Sequence, residues 1–542
     1  MKNNIFLITF LLGVVTIFCS CSDFLDETPN KSGSAYIYHM DQLYGMMSNP
    51  ALYLTNSPEP NALTRGATES YMFQQLLLGD GVELDPEFWF TGMRGGFVSA
   101  YDLYCWKEEK LKDQFSMNVI WTPSWNRIYT FNTVLENLDK VIQTTENIRQ
   151  QVEGEARFGR AYYHFMLLVQ FCLWQEEAPG IGYRENTNAN EVPDRRTVGY
   201  TLGRIYEDLQ LAENALTKAG RTTFDFKHNF RPTVPTVQAF RARVDLYRGN
   251  YASALSNASA ALKAYNTLVD FKNDPLYKLY SSSEFHLMDP TGKYIEQTIT
   301  AQVMTEINNR KGELLAEYQE FYLPNCSTMD YSGCVPVSES YYHLFDQEND
   351  ARWIHFYNNY KPLERATGLI QTLQLEGEAV PNCIKWADRQ WMKPAWCHTY
   401  IRFYGYGAYS LIGMTTAEMY LIEAECLARS SKTGEAAEVL KTLRQTRFMN
   451  ESVANNIGGS VQDVLNERMR EMGAEWRFFD IKRLNGAENA GIYIRRRILS
   501  DISDPNSVTE LVIAPDDPRW ALPFNPLEAE RMNWAQNSGW EE

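Results

Sequence analysis

Residues 418–447 read EMYLIEAECLARSSKTGEAAEVLKTLRQTR, and residues 466–483 read NERMREMGAEWRFFDIKR. In the first stretch, apolar side chains recur at helical spacing on both sides of Ser430-Ser431-Lys432-Thr433-Gly434, which predicts two helices joined by a turn. This pattern is typical of a tetratricopeptide-type helix pair. Small residues at the packing positions would let the two helices approach closely: Ala417, Ala424, Ala428, Ala436 and Ala437.

The second stretch mixes charged and aromatic residues. Acidic and basic side chains run from Glu467 to Arg483, with Trp476, Phe478 and Phe479 among them. One interpretation is a solvated helix with surface ion pairs, which contribute little to stability. The aromatic side chains favour the other interpretation, a partly buried network that pins the helix to the core. Neither interpretation implies catalysis.

Similar helix pairs are predicted upstream. Residues 155–216 and 237–265 each hold two apolar stripes at helical spacing, and Gly249 supplies the tight turn of the second pair. A fourth pair would combine a helix over 125–142 with helices near the N-terminus. Because such pairs bury their apolar faces by stacking on neighbours, the sequence predicts an all-α-dominated body of about four tetratricopeptide-like pairs.

Long irregular insertions interrupt this body. Periodicity fails from 79 to 123, and residues 273–416 are loop-rich and non-repetitive. A stretch of that length inside a domain is usually functional or carries small elements of its own. Alternating pieces such as Thr298–Met304 predict short strand hairpins. We therefore expect one domain over 21–542, with helical repeats near 125–265 and 417–483.

Both insertions are rich in aromatic residues, and aromatic faces can stack on sugar rings while polar neighbours bind the hydroxyl groups. The alternative is that most of these rings anchor loops on the helical body. Three tryptophans at motif positions are expected in the core: Trp125, Trp476 and Trp520. The candidate ligand-binding residues are Trp89, Trp106, Trp386, Trp391, Trp396 and Tyr404.

The N-terminus predicts export. Lys2 precedes an almost unbroken apolar run over 5–18, the pattern of a secretory signal. Residues 18–21 read FCSC and resemble a bacterial lipobox, so residues 1–20 are expected to be a lipoprotein signal peptide and Cys21 the lipidated residue. Cleavage elsewhere with free secretion is the alternative. No later stretch approaches the roughly 18 apolar residues of a transmembrane helix.

Other classes of protein are disfavoured. The net charge of −17 argues against a nucleic-acid partner. The seven histidines are scattered, and no zinc-ligand spacing, phosphate-binding loop or nucleophile motif occurs, so we expect no metal, no cofactor and no enzymatic activity. Cys326–Cys334 and Cys383–Cys397 lie in loop-like segments that could form disulfides, whereas Cys172 and Cys426 are expected to be buried thiols.

A family resemblance rests on several ordered stretches. EGEARFGRAYY at 153–163, the two stretches quoted first, and LPFNPLEAERMNWAQNSGW at 522–540 resemble motifs of the SusD/RagB family of outer-membrane nutrient-binding lipoproteins. Gly159 departs from the family pattern, which usually has leucine there. The resemblance covers essentially the whole mature chain and the order of its motifs is specific.

The resemblance implies a function. It implies a lipid-anchored cell-surface protein of the bacterial outer membrane that captures a glycan and delivers it to a SusC-like TonB-dependent transporter. A peptide-binding protein similar to RagB is one alternative. A helical-repeat scaffold that binds no small ligand is another.

Overall fold

The chain is dominated by helices. The computed structural model describes residues 37–49, 51–54, 71–84, 86, 98–112, 114–188, 190–225, 228, 230–273, 321–323, 326–328, 337–359, 398–400, 409–411 and 413–540. In chain order the helices are α1 (Met40–Met47), α2 (Ala51–Leu54), α3 (Tyr71–Leu78), α4 (Val98–Tyr104), α5 (Glu108–Leu111), α6 (Gln114–Asn137), α7 (Glu146–Phe171), α8 (Val198–Lys218), α9 (Val234–Arg248), α10 (Tyr251–Ala264), α11 (Glu339–Tyr342), α12 (Ala351–Phe356), α13 (Thr416–Arg429), α14 (Thr433–Arg444), α15 (Glu451–Asn455), α16 (Val461–Met472), α17 (Arg477–Glu488) and α18 (Pro526–Met532).

The long helices stack in chain order. Helix α6 packs on α7, α7 on α8, α9 on α10, and α10 on α13, which in turn packs on α14 and α16. The faces between them form one hydrophobic core that runs through the stack. The prediction of an all-α-dominated, tetratricopeptide-like body is confirmed, including the pairs α7–α8, α9–α10 and α13–α14. Stacking explains their stability, because each pair buries its apolar faces against the next.

Local sequence signals set the ends of these helices. The Thr415 hydroxyl caps α13 by accepting a hydrogen bond from the Glu418 amide at 2.9 Å. Ser460 and Asp463 form a capping box at the start of α16. Helix α9 ends at Gly249, whose φ of 78° lies in the left-handed region that glycine adopts without strain. The predicted turn at Gly249 is therefore confirmed.

Gly159, the departure from the family pattern, has a packing explanation. A Cβ atom at this position would lie 2.3 Å from the ring of Phe131, which belongs to the neighbouring helix α6. The ring of Phe131 is fully buried and occupies the space that a larger side chain on α7 would need. Glycine therefore accompanies the large aromatic residue opposite it, as close packing of interiors requires.

The irregular region predicted over 79–123 is partly helical, which corrects that prediction. It contains α4, α5 and the first turns of α6, and Pro123 lies inside α6. Proline removes one backbone hydrogen bond from a helix. Burial of Trp121 among Phe171 and Phe524, at ring-centroid distances of 5.2 and 5.3 Å, accompanies the continuation of this helix past Pro123.

The fourth helix pair also differs from the expectation. We expected the helix over 125–142 to pair with N-terminal helices, but α6 packs along α7. Helix α1 packs on α7 as well, and a single β-bridge joins His39 to Ile142. Ile142 itself is exposed, so the apolar stripe predicted for this helix ends before it.

Short antiparallel strands complete the fold. They are β1 (Phe321–Leu323), β2 (Cys326–Thr328), β3 (Tyr357–Asn359), β4 (His398–Tyr400), β5 (Tyr409–Leu411), β6 (Met414–Thr415), β7 (Ile494–Leu499) and β8 (Val508–Ile513). They pair as β1–β6, β2–β5, β3–β4 and β7–β8. Short hairpins are thus confirmed, whereas the particular candidate Thr298–Met304 lies outside the described residues. The β7–β8 hairpin was not predicted.

Candidate functional site

The charged stretch from Glu467 to Arg483 belongs to two helices, α16 and α17, joined by a 3-10 turn at Ala474–Trp476. Most of its charged side chains are buried and paired with one another or with neighbouring elements. The interpretation as a buried network is therefore confirmed over that of surface ion pairs. The buried charged residues of this stretch are Glu467, Arg468, Glu471, Asp480, Lys482 and Arg483.

Arg352, on α12, is the centre of one half of this network. Its guanidinium donates to Asp350 at 2.8 Å, to Glu467 at 2.7 Å and to Glu471 at 2.8 Å. Burial alone would raise the pKa of Glu467, but Arg352 and two further arginines outweigh that effect and hold this pKa well below its usual range. Because α12 leads directly into β3, the network fixes the point from which residues 360–397 depart.

Arg483, on α17, is the centre of the other half. It donates to both carboxylate oxygens of Glu425 on α13, at 2.8 and 2.9 Å, and to Asp480 at 2.8 Å. Arg468 donates to the same Asp480 at 2.9 Å. Burial raises the pKa values of Glu425 and Asp480, but the arginines lower them by more. Both pKa values therefore lie below their usual range. These pairs hold α16 and α17 on the repeat body.

Helix α17 also contacts the stretch that precedes the first aromatic segment, residues 85–97. Arg477 donates to both oxygens of Asp80, at 2.7 and 3.0 Å. The Ser338 hydroxyl donates to the Asp80 carbonyl at 2.7 Å, and a β-bridge joins Val82 to Val337. The stretch that leads into this aromatic segment therefore packs beside residues 337 and 338 of the long insertion.

Through Arg496, the β7–β8 hairpin contacts the chain on both sides of the same segment. This buried guanidinium donates to the carbonyls of Gly79 and Tyr104, which stand before and after the segment. It also lies 4.0 Å from the centroid of the Tyr104 ring. The amide of Leu499 adds a hydrogen bond to the Tyr101 hydroxyl at 2.7 Å. The β7–β8 hairpin thus joins the two stretches that flank the segment.

Replacement of Arg496 by methionine is expected to loosen the two stretches that flank residues 85–97. The Gly79 and Tyr104 carbonyls would lose their donors, and a buried polar group without a partner costs about 1–3 kcal/mol. Hydrogen–deuterium exchange should therefore speed up in residues 71–84 and 98–112. Arg495→Met is the matched control, since this neighbouring side chain is 57% exposed and its ion pair with Glu510, at 3.6 Å, lies on the surface. Equal exchange in the two variants would contradict the bridging role.

Three strand pairs flank the second aromatic segment, residues 360–397, in the sequence. Strands β3 and β4 bring Tyr357–Asn359 and His398–Tyr400 together at the ends of residues 360–397. Outside them, β2 pairs with β5 and β1 pairs with β6. The segment that carries three of the candidate tryptophans therefore begins and ends at one place on the body.

Most of the predicted ligand-binding residues lie outside the described residues. This holds for Trp89, Trp386, Trp391, Trp396 and Tyr404, and also for Cys21. Their assigned roles stay predictions. The structure describes only the elements from which their segments depart.

Trp106 is the exception, and its prediction as a ligand-binding residue is corrected. Its side chain is 3% exposed and packs against Trp520 and Phe478, at ring-centroid distances of 5.6 and 6.0 Å. With both neighbours in the core, its ring offers no face for stacking on a sugar. The sequence placed it in an irregular segment, but it follows α4 closely and shares the core of that helix.

Three core tryptophans and the buried thiols agree with the sequence. Trp476 and Trp520 are buried, and Trp125 packs partly buried against the core. Cys172 and Cys426 are buried free thiols, as is Cys105. Burial raises the pKa of each thiol to about 12, which keeps it protonated and unreactive. The candidate disulfides involve Cys334, Cys383 and Cys397, which lie outside the described residues.

Within the described part of the chain, no group of three or more histidine, cysteine, aspartate or glutamate side chains is arranged to hold a metal ion. Among these same residues, no helix combines the length and apolar character needed to cross a membrane.

Arg496 was missed by the sequence reasoning, and so were the distant partners of Arg352. Strand alternation was a usable signal for Arg496, because Ile494 and Arg496 fall on the same, buried face of YIRRRIL. No local signal marked the pairing of Arg352 with Glu467 and Glu471, which lie more than a hundred positions away. A pairing of that kind is created by the fold.

Two family models match the chain. One, SusD-like, is described as "Starch-binding associating with outer membrane" and matches residues 90–246. The other is described as "SusD family" and matches residues 396–539. Together they cover more than half of the chain, and the second includes the stretches from which the family resemblance was first inferred. A search of curated protein sequences found no match.

Solved structures share the fold at low sequence identity. A SusD superfamily protein from Bacteroides thetaiotaomicron VPI-5482 is 16% identical, with a TM-score of 0.60 over 92% of this chain and 99% of that one. Surface glycan-binding protein A from Bacteroides uniformis is 14% identical, with a TM-score of 0.59 over 93% of this chain and 99% of that one. A laminarin-binding SusD-like protein is 14% identical, with a TM-score of 0.56 over 93% and 100%. With its helical-repeat fold and its two family matches, this chain belongs to the SusD/RagB family.

Proposed function

We propose that the protein is a cell-surface lipoprotein of the outer membrane that captures an oligosaccharide. One observation carries the proposal: the two aromatic segments, 85–97 and 360–397, depart from a single buried framework. Arg477 on α17 holds the start of the first, and Glu467 and Glu471 on α16 hold the helix that leads into the second. A framework of this kind is what preorganised binding segments need.

The aromatic residues on these segments suit a sugar ligand. Trp89, with Phe88 and Phe90 beside it, belongs to the first segment, and Trp386, Trp391 and Trp396 belong to the second. Rigid amphipathic rings supply contact area at low cost in conformational entropy. The names of two similar structures, a laminarin-binding protein and a surface glycan-binding protein, together with the family description "Starch-binding", favour a glucan over a peptide.

The proposal includes an anchor and a partner. Lipidation at Cys21 would hold the protein on the membrane surface, and a SusC-like TonB-dependent transporter would receive the captured glycan. The lipobox-like sequence FCSC and the family description "associating with outer membrane" support the anchor. The transporter is implied by family membership. A modest affinity for the glycan would suffice if the transporter completes the site.

Calorimetric titration of the mature protein with starch- and laminarin-derived oligosaccharides tests glycan capture. Trp89→Ala, Trp386→Ala, Trp391→Ala and Trp396→Ala are each expected to weaken binding by about tenfold where the ring stacks on a sugar, a loss of about 1.4 kcal/mol. Tyr129→Ala is the control, because this side chain is 50% exposed on α6 and should leave affinity unchanged.

The proposal also has a clear failure. If the wild-type protein binds no glycan, and no barrel protein co-purifies with it from membranes, glycan capture and delivery are both contradicted. Binding of peptides in place of glycans would favour the RagB-like alternative.

A further inference from the structure

A polar pocket lies well apart in sequence from both aromatic segments. It has a volume of about 340 Å³ and lies between the segment that follows α7 and the first turn of α8. That volume is at the lower end of the range of about 300–1,000 Å³ typical of small-ligand sites. Aromatic, charged and amide side chains line it: Tyr183, Arg184, Glu185, Asn186, Glu191 and Tyr200 among others.

The inner wall of the pocket is fixed by buried polar groups. The Asn132 amide donates to the carbonyls of Arg184 and Asn186, each at 3.1 Å. The backbone amide of Arg184 donates to Nε2 of His164 at 3.0 Å. Burial lowers the pKa of His164 to about 3, so the ring stays neutral and its Nε2 remains an acceptor. The backbone on this side is thus held by residues of α6 and α7.

The outer wall is fixed by the C-terminal region. The Trp534 indole donates to the Pro193 carbonyl at 3.1 Å. Arg195 donates to the carbonyls of Gly180 at 3.0 Å and Ala535 at 2.8 Å. A Cβ atom at Gly182 would lie 2.7 Å from the Pro193 carbonyl oxygen, so only glycine allows this approach. Both walls are therefore preformed, which lowers the entropic cost of binding.

The rim of the pocket carries the side chains that would contact a ligand. The Tyr200 side chain is 46% exposed, and its hydroxyl has no hydrogen-bond partner within the described chain. The Arg196 guanidinium lies 5.4 Å from the Tyr200 ring centroid and 3.5 Å from Asp194, and both charged side chains are largely exposed. An aromatic ring flanked by a donor and an acceptor is what a sugar ring with its hydroxyl groups requires.

The charges of the pocket select among ligands. Three acidic residues line it, Glu185, Glu191 and Asp194, against two arginines. Arg184 is already committed, because it donates to the carbonyls of Glu191 at 2.6 Å and Asn188 at 3.1 Å. Arg196 pairs with Asp194, and Arg204 pairs with Glu185. An anionic ligand would therefore meet arginines that already have carboxylate or carbonyl partners, whereas a neutral polyol would meet both donors and acceptors.

We infer that this pocket is a second binding site, for a neutral mono- or disaccharide unit. The inference extends the proposed function, but it rests on residues that the aromatic segments do not include. A second site of low affinity on the same protein would raise the avidity for a long glycan that reaches both sites.

Binding of maltose and laminaribiose to the mature protein tests the inference. We expect protection from hydrogen–deuterium exchange within residues 183–200 at millimolar sugar, and no protection with glucuronate at the same concentration. Tyr200→Ala should weaken disaccharide binding by at least tenfold. Tyr129→Ala is the matched control, because this tyrosine is also on a helix and is 50% exposed, and it should leave the binding unchanged.

The outcomes separate this site from the proposed one. Binding of long oligosaccharides that is lost in Trp391→Ala but unchanged in Tyr200→Ala, with no protection of residues 183–200, would overturn the pocket and leave the proposed function standing. Disaccharide binding that is lost only in Tyr200→Ala would support the pocket even if the aromatic segments bind nothing. Equal losses in Tyr200→Ala and Tyr129→Ala would overturn it.

Discussion

Replacement of Arg352 by methionine is expected to lower the free energy of unfolding by about 3–5 kcal/mol, since it leaves buried charges unpaired. Arg352 is 1% exposed and is bonded to three carboxylates, those of Asp350, Glu467 and Glu471. Glu467 would keep Arg444 at 2.7 Å, and Glu471 would keep Arg447 at 2.8 Å, so the loss is partial for these two. Asp350 would keep no arginine partner among the described residues. The whole junction between α12 and α16 would therefore weaken.

Urea-induced unfolding followed by tryptophan fluorescence measures this loss. Arg531→Met is the control, because Arg531 is 74% exposed and pairs with Glu528 on the surface of α18. Surface pairs contribute about 0–1 kcal/mol, so the control should unfold almost as the wild type does. If the two variants lose the same stability, the buried network is not what holds α12 on the body.

Replacement of Lys482 by methionine is expected to raise the free energy of unfolding near neutral pH, the opposite of the effect at Arg352. Lys482 is 4% exposed, and its ammonium donates to the Val169 carbonyl at 2.6 Å. No carboxylate partner of Lys482 is present among the described residues. Burial lowers its pKa from the ordinary 10.5 to about 7. Methionine fills a similar space without a charge to desolvate.

The effect has a defined dependence on pH. Between pH 7 and 10.5 the unfolded chain binds more protons at Lys482 than the folded protein does, so wild-type stability rises with pH over that window. The penalty is complete below pH 7 and absent above pH 10.5. At about 1.4 kcal/mol for each pKa unit between 7 and 10.5, and with about 1 kcal/mol subtracted for the lost hydrogen bond, we expect a gain of about 4 kcal/mol at pH 6.

Unfolding experiments on the wild type and on Lys482→Met at pH 6, 8 and 10 check this expectation. The advantage of the variant should shrink steadily as the pH rises. Lys432→Met provides the control, because Lys432 is half exposed and pairs with Glu435 at 3.3 Å, and its effect should be small at every pH. A difference between Lys482→Met and wild type that does not change with pH would show that Lys482 is charged in the folded protein.

Local sequence signals predicted the repeat body well. Periodic apolar residues, small residues at packing positions and turn residues such as Gly249 act over a few neighbouring positions, and the structure confirms the helix pairs that they predicted. The same reasoning failed at Pro123 and at Trp106. In both places long-range packing decides the outcome: Trp121, on the helix that continues past Pro123, is buried against Phe171 and Phe524, and Trp106 packs on Trp520, about four hundred positions away.

The candidate site was predictable only in part. The aromatic segments were recognised from composition, but the places where they attach to the body depend on Arg496, Arg477 and Ser338, whose partners are distant in sequence. The pocket beside Tyr200 gave no signal at all in the sequence. Residues 183–200 line it, but side chains of α6, α7 and the C-terminal region hold that stretch in its concave shape, and no short motif encodes contacts with three distant parts of the chain.

The sequence by itself determined the family and the helical-repeat architecture, and it favoured burial of the charges between Glu467 and Arg483, because these follow from periodicity and from residue types at short range. The tertiary structure alone decided which charges pair, where the aromatic segments depart from the body, and that Trp106 is buried. Those outcomes depend on contacts between residues far apart in the chain. Ion pairs such as Arg352–Glu467 and Arg483–Glu425 exist only once the helices have stacked and excluded water from between them.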